Sequence, residues 1–270
     1  MPAKSFLNVE FSRQNYCPLP KSGNFCHQVP TIITFINKTN MLSLDETLRL
    51  NNEGVALFHA NEIARAAEKL HSSFLGARSL INRGTAAQGI SSIPNWPYNL
   101  KCCEESRNHT FCSNDRNEFF LCFRAFSFRG ELGREQEGGS TQALSVYCAG
   151  ILFNLAILHH KHGMNDGSPA FLDKAAAFYR TALEIIEANT DLFEQDPTLL
   201  LLAFITHNNL AQLELENGMV DKVNQRLHCM AGILYKRKRT ILMALSNKME
   251  VKGLVSNILG AGRLNTAQAA

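Results

Sequence analysis

Apolar positions recur at helical spacing over most of the chain and lose that spacing in two places. Leu44, Leu48, Val55 and Phe58 follow one another at steps of three, four or seven, which predicts a helix beginning at Ser43. Ser43 and Glu46 form an S-x-x-E capping box at its start, where each side chain can satisfy an orphan backbone N–H. A partner helix is expected over 62–80. From Thr141 onward the pattern predicts helices at 141–162, 169–188, 197–217 and 219–236, with one or two more after Arg239. Ser168-Pro169 and Asp196-Pro197 each set an N-cap residue before a proline, whose missing N–H is no loss at the first helical position. Gly163 and Gly218 stand where helices should stop, as left-handed C-cap residues.

The spacing first fails over 1–42, an irregular lead holding Pro18, Pro20 and Pro30, in which "TIITFI" (31–36) is β-branched enough for a short strand. It fails again over 82–140, where Gly, Ser, Asn and Pro dominate; a loop of this length reads as a disordered or specialised insert. Inside that insert "EFFLCFRAFSF" (118–128) is an aromatic run suited to a strand or hairpin, with 31–36 as a candidate partner. The expected organisation is the lead, a first helix pair over 43–81, the insert, two further pairs with a capping helix over 141–258, and a disordered tail over 259–270.

Three stretches repeat one another: "NNEGVALFHAN" (51–61), "FNLAILHHKHG" (153–163) and "NNLAQLELENG" (208–218). Gly54 is followed at matched gaps by Ala66, Leu70 and Ser73, and Ala211 by Val223, Leu227 and Met230. Ala156 is followed by Ala175, Tyr179 and Ala182, with the extra residues falling in "MNDGSPA" at the inter-helix turn, where an insertion costs little. Small residues facing each other across an antiparallel helix pair let the backbones approach, and a large residue one turn on fills the groove beside them.

This pattern resembles the tetratricopeptide repeat, over Leu48–Phe74, Gly150–Ile185 and Ile205–Leu234. The chain is also similar to degenerate tetratricopeptide-like proteins of microalgae. It departs from the family in the size of Val223 and Met230 and in having no tryptophan at the start of any copy. The resemblance implies an all-α solenoid of antiparallel helix pairs that binds a peptide segment in a concave groove lined by the first helix of each pair. Carried over by position, the groove residues are Asn51, Asn52, Val55 and His59; Phe153, Asn154, Ile157, His160 and Lys161; and Asn208, Asn209, Gln212 and Glu216. An asparagine amide can both donate to and accept from an extended peptide backbone. The alternative role for Asn52, Asn154 and Asn209 is to brace neighbouring helices. One subtype of the family grips the C-terminal carboxylate of heat-shock chaperones through cations on these helices. Asn51, Ile205 and Asn209 stand where those cations are wanted, so no carboxylate-clamp chaperone binding is expected.

Net charge is only +3, but it is unevenly placed: Asp173–Asp221 is acidic, and Lys222–Arg263 is basic apart from Glu250. Lys236, Arg237, Lys238 and Arg239 form the densest basic patch, readable as a solvated helix end, a nuclear import signal or a phosphate-contacting surface. Nucleic-acid binding normally adds interleaved exposed aromatics, and only Tyr235 is near, so nucleic acid ranks behind protein as the expected partner. The opening residues hold no apolar run of signal-peptide length and "ALSVYCAGILFNLAIL" (143–158) is too short for a span, so a cytoplasmic or nuclear chain off the membrane is expected. The eight cysteines then read as reduced thiols; Cys102, Cys103 and Cys112, or Cys17, Cys26 and His27, lack paired zinc spacing. In "HHKH" (159–162), His159 and His160 diverge on a helix, which disfavours a metal and favours a role at the helix C-terminus. No nucleophile, phosphate-loop or dinucleotide motif is present. The expectation is a non-catalytic protein-interaction scaffold without cofactor, the alternative a nucleic-acid-associated or nuclear factor using the basic C-terminal face.

Overall fold

The computed structural model describes residues 42–86, 100–102, 119–128, 141–189, 196–245 and 248–268, all within one compact unit, Met41–Ala270. These residues are mostly helical, with seven helices: α1 Leu44–His59, α2 Ile63–Ala86, α3 Thr141–Asp166, α4 Pro169–Glu187, α5 Pro197–Glu216, α6 Val220–Ala244 and α7 Lys248–Gln268. Two short strands, β1 Leu100–Cys102 and β2 Phe126–Phe128, pair antiparallel with Lys101 opposite Ser127. The expected strand at 31–36, the lead over 1–41 and most of the insert lie outside the described residues. Among the described residues β2 pairs with β1, which comes from a stretch read as loop.

Local chemistry sets several of the helix ends. Ser43 Oγ accepts from Glu46 N at 3.2 Å, while the Glu46 carboxylate turns to Arg49 instead of closing the capping box. Asp196 Oδ1 caps α5 by accepting from Thr198 N at 2.7 Å; Ser168 holds the N-cap position of α4 without a side-chain bond. Gly218 has the left-handed φ of +69° expected of a helix stop.

Gly163 does not. Helix α3 runs through it to Asp166 and the left-handed residue is Gly167, φ +62°. A side chain at Gly163 would meet Leu172, so this glycine serves the close approach of α3 and α4. Gly54 does the same for α1 and α2: a Cβ there would lie 2.7 Å from Leu70 Cγ and 3.2 Å from Leu70 N. Three other boundaries also differ from expectation. Helix α2 continues to Ala86, α7 extends past residue 258 to Gln268, and α6 continues through a kink at Arg237 to Ala244.

Helices pack in consecutive order, α1 on α2, α3 on α4 and α5 on α6, with α2–α3, α4–α5 and α6–α7 contacts joining them. All twelve small and large positions aligned across the three repeated stretches are buried. Helix α5 is buried at every position from Leu199 to Glu214, including His207, Asn208, Asn209 and Gln212. A helix enclosed on all sides usually reads as apolar throughout. These polar side chains therefore need partners, and Asn208 and Asn209 find them in the segment that lies against α5, while Gln212 meets His160. Among the described residues, no helix is long and apolar enough to cross a membrane.

Candidate functional site: an asparagine ladder around residues 119–128

Residues 119–125 run without helix or turn and lead into β2, and Phe120 to Phe126 are buried without a break. In an extended chain the N–H and C=O of one residue point to the same side, and the next residue's point to the other. One carboxamide can therefore satisfy both groups of a residue, and a row of carboxamides must meet every second residue.

Four asparagines do this, one from each of four helices. Asn52 of α1 accepts from Phe128 N at 2.8 Å and donates to Phe128 O at 2.6 Å. Asn154 of α3 holds Phe126 in the same way at 2.8 and 2.7 Å. Asn209 of α5 holds Cys122 at 3.1 and 2.7 Å, and Asn257 of α7 holds Phe120 at 3.0 and 2.8 Å. The segment thus crosses the helices in reverse order, Phe120 at α7 and Phe128 at α1.

Two of these clamps share a second asparagine. Asn51 donates to Phe126 O at 3.0 Å and its Oδ1 accepts from Asn154 at 2.9 Å. Asn208 donates to Phe120 O at 2.8 Å and its Oδ1 accepts from Asn257 at 2.7 Å. These asparagines hold the chain's own segment and also tie α1 to α3 and α5 to α7.

At residue 124, the remaining even position, the side chain makes a contact of its own. Arg124 faces Glu250 of α7 through one hydrogen bond, Nε to Oε1 at 2.7 Å, and an ion-pair contact of Nη2 with Oε2 at 2.6 Å, both residues being nearly inaccessible at 4% and 1% exposure. Burial raises the Glu250 pKa, and Arg124 opposes that shift. The aromatic side chains of the segment meet rings of the groove: Phe126 on Phe153, Phe128 on Tyr147 and Phe123 on His160, with centroids 5.0 to 5.4 Å apart.

A chain of hydrogen bonds fixes Asn209. Its Nδ2 donates to Tyr179 Oη at 3.1 Å, Tyr179 lies 3.4 Å from His160 Nδ1, and His160 Nε2 lies 3.0 Å from Gln212 Oε1. Gln212 passes the contact on to Glu216 at the exposed end of α5. Burial lowers His160 to about 4, so the ring is neutral, with Nε2–H donating to Gln212 and Nδ1 accepting from Tyr179. Burial likewise raises the Tyr179 phenol.

The remaining expected residues sort differently. Val55 and Ile157 are buried apolar packing; His59 and Lys161 are half-buried, and the Lys161 ammonium lies over the Phe58 ring at 5.0 Å. The histidines of 159–162 do not stand at the helix end, because α3 continues beyond them to Asp166. His159 stacks between Phe171 and Phe178, burial pushing it down to about 3; His162 pairs with Asp166 at 2.9 Å. Lys236 to Arg239 are exposed, flanking the kink in α6, beside Tyr235 at 91% exposure.

Three groups lay outside the expected site: Asn257, Glu250 and the segment 119–128 that the asparagines hold. Asn257 carries a signal, since Asn51–Gly54, Asn208–Ala211 and Asn257–Gly260 all set asparagine three residues before a small one. Glu250 carries another, as the lone acidic residue of the basic Lys222–Arg263 tract. No protein-family model matches the chain, and no match was found among curated proteins or solved structures.

Proposed function

We propose that this chain is a non-catalytic protein-interaction scaffold, a tetratricopeptide-like solenoid whose concave groove takes an extended segment of another protein. The observation that carries this reading is the row of bidentate asparagines, which binds backbone and so accepts many sequences in one conformation. Recognition of an extended chain through main-chain hydrogen bonds, with pockets for alternate side chains, is the mode of strand addition to a sheet edge. Here side-chain amides take the place of the edge.

The test is affinity capture from native extract with three forms of the full chain: wild type, Arg124→Glu to weaken the resident segment, and Arg124→Glu with Asn154→Ala and Asn209→Ala. A protein held by the second form and lost from the third supports groove binding, once its purified segment binds by titration calorimetry. Identical captures by the second and third forms overturn it.

The second reading, a nucleic-acid-associated factor, draws on the exposure of Lys236 to Arg239 and Tyr235. Its mark is nucleic-acid affinity that falls steeply with salt and is lost when those four cations are neutralised.

A further inference from the structure

We propose that the groove selects partner segments carrying an arginine between aromatic residues, and that residues 119–128 are a built-in competitor for the same site. This rests on the scaffold reading above and adds to it a ligand class and a regulatory element. The resident segment shows what the groove holds. Its backbone is bound at Phe120, Cys122, Phe126 and Phe128, whose N–H and C=O groups any extended peptide also presents. Selectivity must come from side chains, and the sharpest contact is charged. Glu250 is buried, and Arg124 is the cation set against it, with one hydrogen bond to Oε1 and an ion-pair contact to Oε2. A segment lacking a cation there leaves a carboxylate in a dry site, and one with an anion adds repulsion; both are strongly disfavoured. Arginine fits this geometry better than lysine because its fork matches both carboxylate oxygens. Phe153, Tyr147 and His160 supply ring faces and edges for aromatics on either side.

Occupancy by the chain's own segment lowers apparent affinity for any incoming one by the fraction of time the groove is free. The resident segment is therefore a threshold: a partner binds only by outcompeting it.

The probe is a fluorescein-labelled peptide with the sequence of residues 119–128, carrying Cys122→Ser, and a second version that also carries Arg124→Glu. Each is titrated by fluorescence anisotropy against full-length wild type, Arg124→Glu, and the charge-swapped Arg124→Glu/Glu250→Arg, with helix content checked by circular dichroism. The expected result is that Arg124→Glu binds the arginine peptide at least about tenfold more tightly than wild type does, and more tightly than it binds the glutamate peptide. The charge-swapped chain, its own pair restored, should return to weak binding.

Equal binding of both peptides by Arg124→Glu removes the arginine rule and leaves the groove reading standing. A folded Arg124→Glu chain that binds neither peptide overturns both. Equal affinity in wild type and Arg124→Glu overturns the competitor role. If Arg124→Glu does not fold alone, refolding with each peptide decides: recovery of helix only with the arginine peptide supports the proposal, and no recovery with either overturns it. A wild-type dimer by light scattering that dissociates on adding the arginine peptide identifies a second copy of this chain as the occupant and overturns the partner assignment.

Discussion

Replacing Asn154 with alanine tests whether the ladder is an energetic feature. The side chain accepts from Phe126 N at 2.8 Å, donates to Phe126 O at 2.7 Å and donates to Asn51 Oδ1 at 2.9 Å, all in a site where Asn154 is 1% exposed. The Phe126 carbonyl keeps a donor in the variant, because Asn51 Nδ2 also reaches it at 3.0 Å. The Phe126 N–H and the Asn51 carboxamide oxygen each lose the bond that Asn154 made. A buried polar group stripped of its partner costs roughly 1–3 kcal/mol, so Asn154→Ala should cost about 4 kcal/mol. That is a large share of the roughly 5–15 kcal/mol by which a domain is stable. Asn52→Ala is the control. It removes the same two backbone bonds, to Phe128, but at a half-buried position where water can replace them, so about 1 kcal/mol is expected. Urea unfolding followed by circular dichroism gives both values by linear extrapolation. If Asn154→Ala costs no more than Asn52→Ala, the inner rung is already hydrated and the ladder reasoning fails.

Acid should unfold the protein through its buried histidines. Burial holds His159 at about 3 and His160 and His207 at about 4, against 6.5 for a free ring. With folded values depressed, the unfolded chain binds more protons between those limits, so stability is full above about pH 7 and falls as pH drops. At pH 5 each ring costs about 2 kcal/mol, together about 6 kcal/mol, at 1.36 kcal/mol per pKa unit. Glu250, raised by burial, works the other way but is one group against three. Equal urea midpoints at pH 5 and 7 would contradict this. Gly253→Ala places a methyl on the Phe120 ring; it should cost about 1–3 kcal/mol and speed hydrogen exchange at the Phe120 amide, and protection equal to wild type would show that the ring moves freely. Ala211→Leu overpacks a fully buried position and should lower stability by about 1–3 kcal/mol. An unchanged melting temperature would mean that Ala211 does not face the helix partner assigned to it.

Much of the helical layout is legible because it depends on neighbours in sequence. Asp196 caps through Thr198 two residues on, and Gly218 stops a helix by its own φ. The repeated small residues are legible for the same reason: one helix pair is a local unit. Gly163 misleads because a glycine near a helix end looks alike whether it turns the chain or lets Leu172 approach, and only the packing of α4 decides. The asparagines of α1, α3 and α5 could be picked out as a set, but not what they hold, since Phe120 and Asn257 are 137 residues apart. Asn257 escaped because it lies outside the three repeated stretches, on the helix read as a cap. His159 and His160 looked like surface charge because their burial is created by α4 and by the segment.

In a stack where each helix touches only its neighbours, stability is a sum of local terms, and either end can fray while the other persists. The segment 119–128 changes that. It bonds to four helices at once, across separations of 28, 76, 87 and 137 residues. Losing α7 removes the rung at Phe120 and the partner of Arg124, which loosens the rungs that reach back to α1. Unfolding should therefore be a single transition with coincident probes rather than a progressive peeling of repeats. Synthesis feels the same wiring: three of the four rungs need helices made after the segment, so the ladder is incomplete until α7 has been added.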